Sequence, residues 1–185
     1  VVYIAYMHDD DYDDPYGEIW MHISYDYGNS WTVKEDVSNV GKKCQWPIVA
    51  ATHGGGYAIV VYNYRYSEDD LDILYSYSDD WGNYWDPNHW IAATSKSEVA
   101  HAVTVDGQGS QSNNIYGYIH CTYWYGEFTG DWPHNNGEVH YKKCHCTELA
   151  ISSAWSNYYG SNPINIYGTA SDKSGFAITT QKRPD

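Results

Sequence analysis

The stretch SYDYGNSW, Ser24 to Trp31, returns as SDDWGNYW, Ser78 to Trp85. Both copies read S-x-D-x-G-x-x-W, and Asp26 and Asp80 stand at the same offset as Trp31 and Trp85. The match extends outward on both sides. GEIWMHIS precedes the first copy and LDILYSYS the second, each after an acidic loop, HDDDYDDPYG or SEDDL. Before each loop runs an alternating segment, VVYIAYM or YAIVVYNY. The unit is therefore strand, acidic loop, strand, box, and a further strand such as WTVKEDVS or HWIAATS.

Period-2 alternation of aromatic and β-branched residues recurs along the chain, and no segment carries a convincing helical period. The fold class expected is all-β. A third unit is eroded: NNIYGYIHCTYW, a long loop, and GEVHYKKC put Cys144 where the box serine should be, without Asp or Gly at the right offsets and with Trp155 arriving late. The pattern predicts that a fourth opens with NPINIYGTAS and GFAITT. Units of this length built from four short strands have the pattern of β-propeller blades.

S-x-D-x-G-x-x-W at blade spacing resembles the Asp-box, or bacterial neuraminidase repeat, of sialidase-like β-propellers. The resemblance implies an array of four-stranded antiparallel blades forming a partial ring. One partial blade spans 1–40, a second blade 41–97, a blade with a degenerate box 98–160, and the start of a further blade 161–185. It also implies that the boxes look away from the substrate face. In local chemistry each box is a turn lock. Gly28 and Gly82 supply a positive φ, Asp26 and Asp80 accept from turn amides, Ser24 and Ser78 bond locally, and Trp31 and Trp85 cover the turn.

Sialidases of this family hold a substrate carboxylate with three arginines. This chain has two, Arg65 and Arg183, and lysine lacks the planar fork. No catalytic residue is therefore assigned, and the chain is expected to be a non-catalytic module that binds a glycan or a partner protein, or that scaffolds. The alternatives are part of a glycoside hydrolase whose catalytic residues lie outside this chain, and a subunit of an extracellular filament completed by strand exchange, since an unpaired strand edge is a template for pairing.

With 24 acidic against 10 basic side chains, the formal net charge is −14, a field that repels nucleic acid and anionic lipid. No apolar run approaches the roughly 20 residues that span a bilayer, so membrane insertion is not expected. Twenty-one Tyr and nine Trp beside two Phe favour strands and half-exposed surfaces. The ring-rich segment around Trp124, Tyr125 and Trp132 offers candidates for stacking on a sugar, against the plain alternative of packing between blades. Asp9, Asp11, Asp13 and Asp14 in the first acidic loop suit calcium by ligand type but lack EF-hand spacing, and a solvated hairpin tip is the competing reading. Cys44, Cys121, Cys144 and Cys146 are compatible with one or two disulfides in an extracellular or cell-surface protein, or with buried thiols; they have no zinc spacing.

A turn lock acts on stability and not on recognition. Asp26→Ala is expected to lower unfolding free energy by about 1–2 kcal/mol in denaturant titration with ligand affinity unchanged; lost binding at equal stability would refute the assignment.

Overall fold

The computed structural model describes residues 1–9, 16–41, 43–53, 56–106, 117–127, 137–150, 155 and 164–170, with His101 and 164–170 described by backbone alone. The described chain is all-β in three antiparallel sheets. Sheet one holds β1 (Val2–His8), β2 (Glu18–Ser24) and β3 (Thr32–Lys34). Sheet two holds β4 (Cys44–Ala51), β5 (Ala58–Ser67), β6 (Asp70–Ser78) and β7 (Asp86–Ala92) in chain order. Sheet three holds β8 (Ser97–Val105), β9 (Tyr118–Gly126), β10 (Gly137–His145) and β11 (Ile164–Ala170), again a simple meander. Among the described residues no helix is long and apolar enough to cross a membrane.

The repeat seen in sequence is a repeat of register. Val2 faces Ser24 across β1–β2, and Ala58 faces Ser78 across β5–β6. The second hairpin is two residues shorter between these facing pairs, so the strands superpose from the box end. One expectation needs correcting. Residues 164–170, read as the first strand of a further unit, pair with β10 as the outer strand of sheet three. The sheet still had a free edge at β10, and β11 satisfies its backbone groups.

The sheets stack in chain order through two cores. Ile19, Met21 and Ile23 of sheet one meet Ala58, Val60, Tyr62 and Leu74 of sheet two. The opposite face of sheet two, with Ile59, Val61, Ile73 and Tyr75, meets Ile119, Cys121 and Tyr123 of sheet three. Sheet two is thus covered on both sides, which is why β5 reads AIVVY without a polar alternate. Strands β1, β4 and β8 lie side by side along the stack.

Each junction carries a box tryptophan. Trp85 is buried against sheet one, edge-on to Tyr3 at 6.2 Å. Trp155 is buried against sheet two, edge-on to Tyr75 at 5.4 Å, and the Tyr75 hydroxyl donates to the Leu149 carbonyl at 2.7 Å. Trp31 is 40% exposed.

The two box glycines differ for the same reason. A Cβ on Gly82 would stand 2.7 Å from Ile23 Cδ1 and 2.9 Å from Tyr3 Cε1, whereas one on Gly28 would meet only Trp31, at 3.7 Å. Both have positive φ, 84° and 91°, so alanine is strained at either. Gly28→Ala is expected to cost about 1–2 kcal/mol from backbone strain, and Gly82→Ala a further ~1–3 kcal/mol from overpacking the junction. Equal midpoint shifts in urea would contradict the packing assigned to Gly82.

Candidate functional site

The boxes come first because they orient everything at one end of sheets one and two. At the end of β2, Ser24 Oγ donates to Asp26 Oδ1 (2.8 Å) and accepts from the Gly28 amide (2.7 Å). Asp26 Oδ1 also takes the Ser30 amide (2.8 Å), and Oδ2 takes the Ser30 hydroxyl (2.6 Å). The second copy repeats three of these four bonds. Ser78 Oγ donates to Asp80 Oδ1 (2.9 Å) and accepts from the Gly82 amide (2.8 Å), and the Tyr84 amide donates to Asp80 Oδ1 (2.9 Å). Asn29 and Asn83, unremarked in the motif, close each turn by donating side-chain NH2 to the carbonyls of Asp26 and Asp80 at 2.7 Å. The hydrogen bonds from the Ser30 side chain and amide, then Ser24, hold the Asp26 carboxyl down near 2.

The turns are tighter than the glycines alone implied. Tyr27 and Trp81 also have positive φ, both 60°, so the two central residues of each turn are left-handed, as a type I′ turn requires. An L-residue there costs roughly 1–2 kcal/mol, and the serine and aspartate bonds offset it.

Beside the second box lies a cleft of about 300 Å³ between sheets one and two, with Lys34, Asp36 and Asn39 on one side and Asn83, Tyr84 and Trp85 on the other. Its walls are braced. Lys34 Nζ donates to the Asn83 carbonyl at 3.0 Å, and the Tyr25 hydroxyl donates to Asn83 Oδ1 at 3.4 Å. Asp36 and Asn39 hold positive φ of 39° and 48°, fixed by the Asn39 amide and Ser38 hydroxyl donating to Asp36 Oδ1 at 2.8 and 2.6 Å. Tyr84 is 65% exposed and presents a ring with a hydroxyl at the rim. A rigid polar wall beside an exposed ring suits a polyhydroxylated ligand.

At the other end of sheet two is a site that motif reading missed. Asp72 of β6 and Glu98 of β8 are both buried, at 2% and 0% exposure. The Thr94 hydroxyl donates to Glu98 Oε1 at 2.6 Å, and the Glu98 side chain hydrogen-bonds Asp72. Glu98 Oε2 and Asp72 Oδ1 have no hydrogen-bond donor among the described residues, and one proton held between the two carboxyls satisfies both oxygens. Burial, and secondarily the charges of Asp72 and Asp70, pushes Glu98 up to about 8; burial, then Asp70, raises Asp72 to about 6. The pair can carry one proton at neutral pH, but neither group reaches solvent. It joins sheet two to sheet three, beside the Asn63 Nδ2 bond to the Glu98 carbonyl (2.8 Å). Nothing in the spacing of residues 72 and 98 signals this, because the approach of β6 to β8 is tertiary.

The remaining sequence candidates fall as follows. Trp124 is corrected: it is 3% exposed and packs with Tyr16, Leu71 and Val99, so its ring is not offered to a ligand. It lies on the side of β9 opposite Cys121 and Tyr123, flanked across the strands by Val99 and Val139. Tyr125 is half-buried and stacks on His140 at 4.6 Å; Trp132 lies outside the described residues. The disulfide reading is also corrected. Cys44, Cys121, Cys144 and Cys146 are free and buried, each thiol pushed up to about 12 chiefly by burial, as befits core packing. Of the calcium candidates, Asp9 is described and Asp11, Asp13 and Asp14 lie outside the described residues. Among the described residues no three His, Cys, Asp or Glu side chains are placed to hold a metal ion.

The shared proton has a pH signature. Folded Glu98 keeps its proton to about 8, whereas an unfolded glutamate releases it near ~4.3. Its stabilisation is complete below that lower value, falls as pH rises through the window, and is lost above the upper one; Asp72 adds to the fall with the same sign. Glu98→Gln is expected to flatten the decline of melting temperature between about pH 4.5 and 8. Parallel curves for the two proteins would rule out the proton assigned to Glu98.

No protein-family model matches the chain, and no curated protein and no solved structure matches it.

Proposed function

We propose that the three sheets are successive units of a sialidase-like, Asp-box β-propeller array, and that the chain is a non-catalytic binding module of a secreted or cell-surface protein. The observation that carries the reading is the pair of boxes. Two turns at one repeat distance use the same serine, aspartate, glycine and asparagine bonds to within 0.1 Å for each equivalent pair. The chain-order stacking of meander sheets, with β1, β4 and β8 side by side, supports it.

The ligand favoured is a glycan, seated in the cleft beside the second box. Lys34, Asp36, Asn39 and Asn83 supply hydrogen-bonding groups around one exposed ring, Tyr84. Acidic groups on the wall disfavour anionic sugars. Catalysis is disfavoured by the chemistry of the carboxyls: Glu98 and Asp72, whose raised affinities for protons suit acid–base work, are sealed between sheets. Arg65 is held over the Tyr16 ring at 4.8 Å.

On a glycan array the chain is expected to retain neutral glycans, with Tyr84→Ala weakening retention by about tenfold, or ~1.4 kcal/mol, and to release no product from reporter glycosides. Turnover by the purified chain would overturn the non-catalytic reading. An array with no retained glycan, or retention indifferent to Tyr84→Ala, would overturn the cleft.

A further inference from the structure

The repeat register gives every face of sheet one a counterpart in sheet two. Val2 and Ile4 of β1 correspond to Ala58 and Val60 of β5, because each set is counted from the serine that opens its box. Tyr6 likewise corresponds to Tyr62, and Trp20 of β2 to Leu74 of β6. Ala58, Val60, Tyr62 and Leu74 are all within 2% of full burial, covered by sheet one. Their counterparts face outward. Val2 is 39%, Ile4 46% and Val33 44% exposed, and the rings between them pack on one another: Tyr6 lies 6.4 Å from Trp20 and 5.1 Å from His22, and His8 stacks on Trp20 at 3.8 Å.

The same holds for the tryptophans. Trp85 and Trp155 each pack on the sheet before them, whereas Trp31, beside this outward face, is 40% exposed and its described ring contact is His22 at 6.4 Å. A face that is covered by a sheet in one unit is thus bare in the other.

We propose that this face, Val2, Ile4, Tyr6, Trp20 and Val33 with Trp31 at its rim, is the contact surface of a two-fold dimer, and that its occupant is the same face of a second copy of this chain. The inference rests on the repeat equivalence that underlies the proposed module. Continuity with the established junction says that a sheet belongs there. Charge says which one. In a chain of net charge −14, Glu18 is the one acid among the described residues of strands β1–β3 on this side, and it accepts from Trp20 Nε1 at 3.1 Å. Two copies meet here with the least repulsion.

A head-to-tail arrangement would need the far side of sheet three instead. There Thr122, Trp124 and Val139 are already buried, at 3–5% exposure, so among the described residues the exposed part of that side is confined to the Tyr118 end. Self-pairing closes with two copies and leaves no further surface to propagate. The three strands cover roughly 20 by 14 Å. Two such faces bring together a footprint of roughly 560 Å², below the standard size of a specific interface, so the dimer is a weak and reversible one of micromolar strength.

The test is sedimentation equilibrium of the full chain at neutral pH, alongside Ile4→Glu. Ile4 is exposed and enters neither core, so the variant folds with an unchanged far-ultraviolet spectrum. A concentration-dependent dimer weakened by about tenfold or more in Ile4→Glu is expected. A wild-type monomer up to about 100 μM, well above a micromolar dissociation constant, overturns the proposal, as does an open-ended polymer or a dimer indifferent to Ile4→Glu. A monomer that still retains neutral glycans overturns the dimer alone and leaves the binding module standing. A dimer without glycan retention supports the interface and counts against the ligand reading.

Discussion

Every sheet in this chain has more apolar surface than its own hairpins can hide, and the stacking of sheet on sheet answers that constraint. Sheet two sets the terms. Its strands carry Ala58, Val60 and Tyr62 on one side and Ile59 and Val61 on the other, so it is stable only between two neighbours. Burial at about 25 cal/mol per Å² makes these two cores the main source of stability. Hydrogen bonds across the junctions then fix how the sheets meet. The Ser76 hydroxyl donates to the Val37 carbonyl at 2.7 Å while bonding Tyr62 at 3.1 Å, and Lys142 donates to the Ile91 carbonyl. The junctions are therefore apolar in area and polar in register, and a sliding sheet would strand buried donors.

The contrast between the two ends of sheet two follows from the same geometry. At the box end the serine and aspartate groups are satisfied within the box itself, although Trp85 Nε1 is buried without a partner among the described residues, and the turn surface is left to form one wall of a cleft. At the opposite end, β6 and β8 approach closely enough to bury carboxyls that no short-range donor can fully serve. A shared proton is the least costly way to keep Asp72 and Glu98 there, since separating two buried charges from water costs several kcal/mol each. The box end thus leaves a cleft and the Tyr84 ring open to solvent, while the other end holds sheet two to sheet three.

What the sequence made legible was the chemistry confined to neighbours along the chain. Serine, aspartate and glycine at fixed offsets specify a turn whoever lies beyond it, and alternation in β1 and β2 specifies strands with two faces. The face assignments were less secure. Trp124 alternates as regularly as Tyr125, and only the packing against Tyr16, Leu71 and Val99 tells which ring is inside. The place of residues 164–170 depended on which edge was open, and the Asp72–Glu98 pair on two strands of different sheets with β7 between them in the chain. The cysteines illustrate the same limit: an even count permits disulfides, but the cores of sheets two and three had room for small apolar side chains and took the thiols as such.

The eroded third unit separates two jobs that the intact boxes combine. Near the end of β10 the serine position is Cys144, buried in the core, and the chain then turns through a short 3₁₀ segment, Cys146–Glu148, capped when the Thr147 amide donates to His145 Nδ1 at 3.4 Å. The left-handed turn and its aspartate lock are gone. Trp155 nevertheless occupies the junction with sheet two, edge-on to Tyr75, as Trp85 occupies the junction with sheet one. Turn chemistry can be exchanged because any cap that satisfies the strand ends will serve. The tryptophan is harder to replace, because it fills the gap between two sheets whose spacing the whole stack has already set. The conserved part of the motif, in physical terms, is therefore its last residue, and the polar part is one of several ways to deliver it.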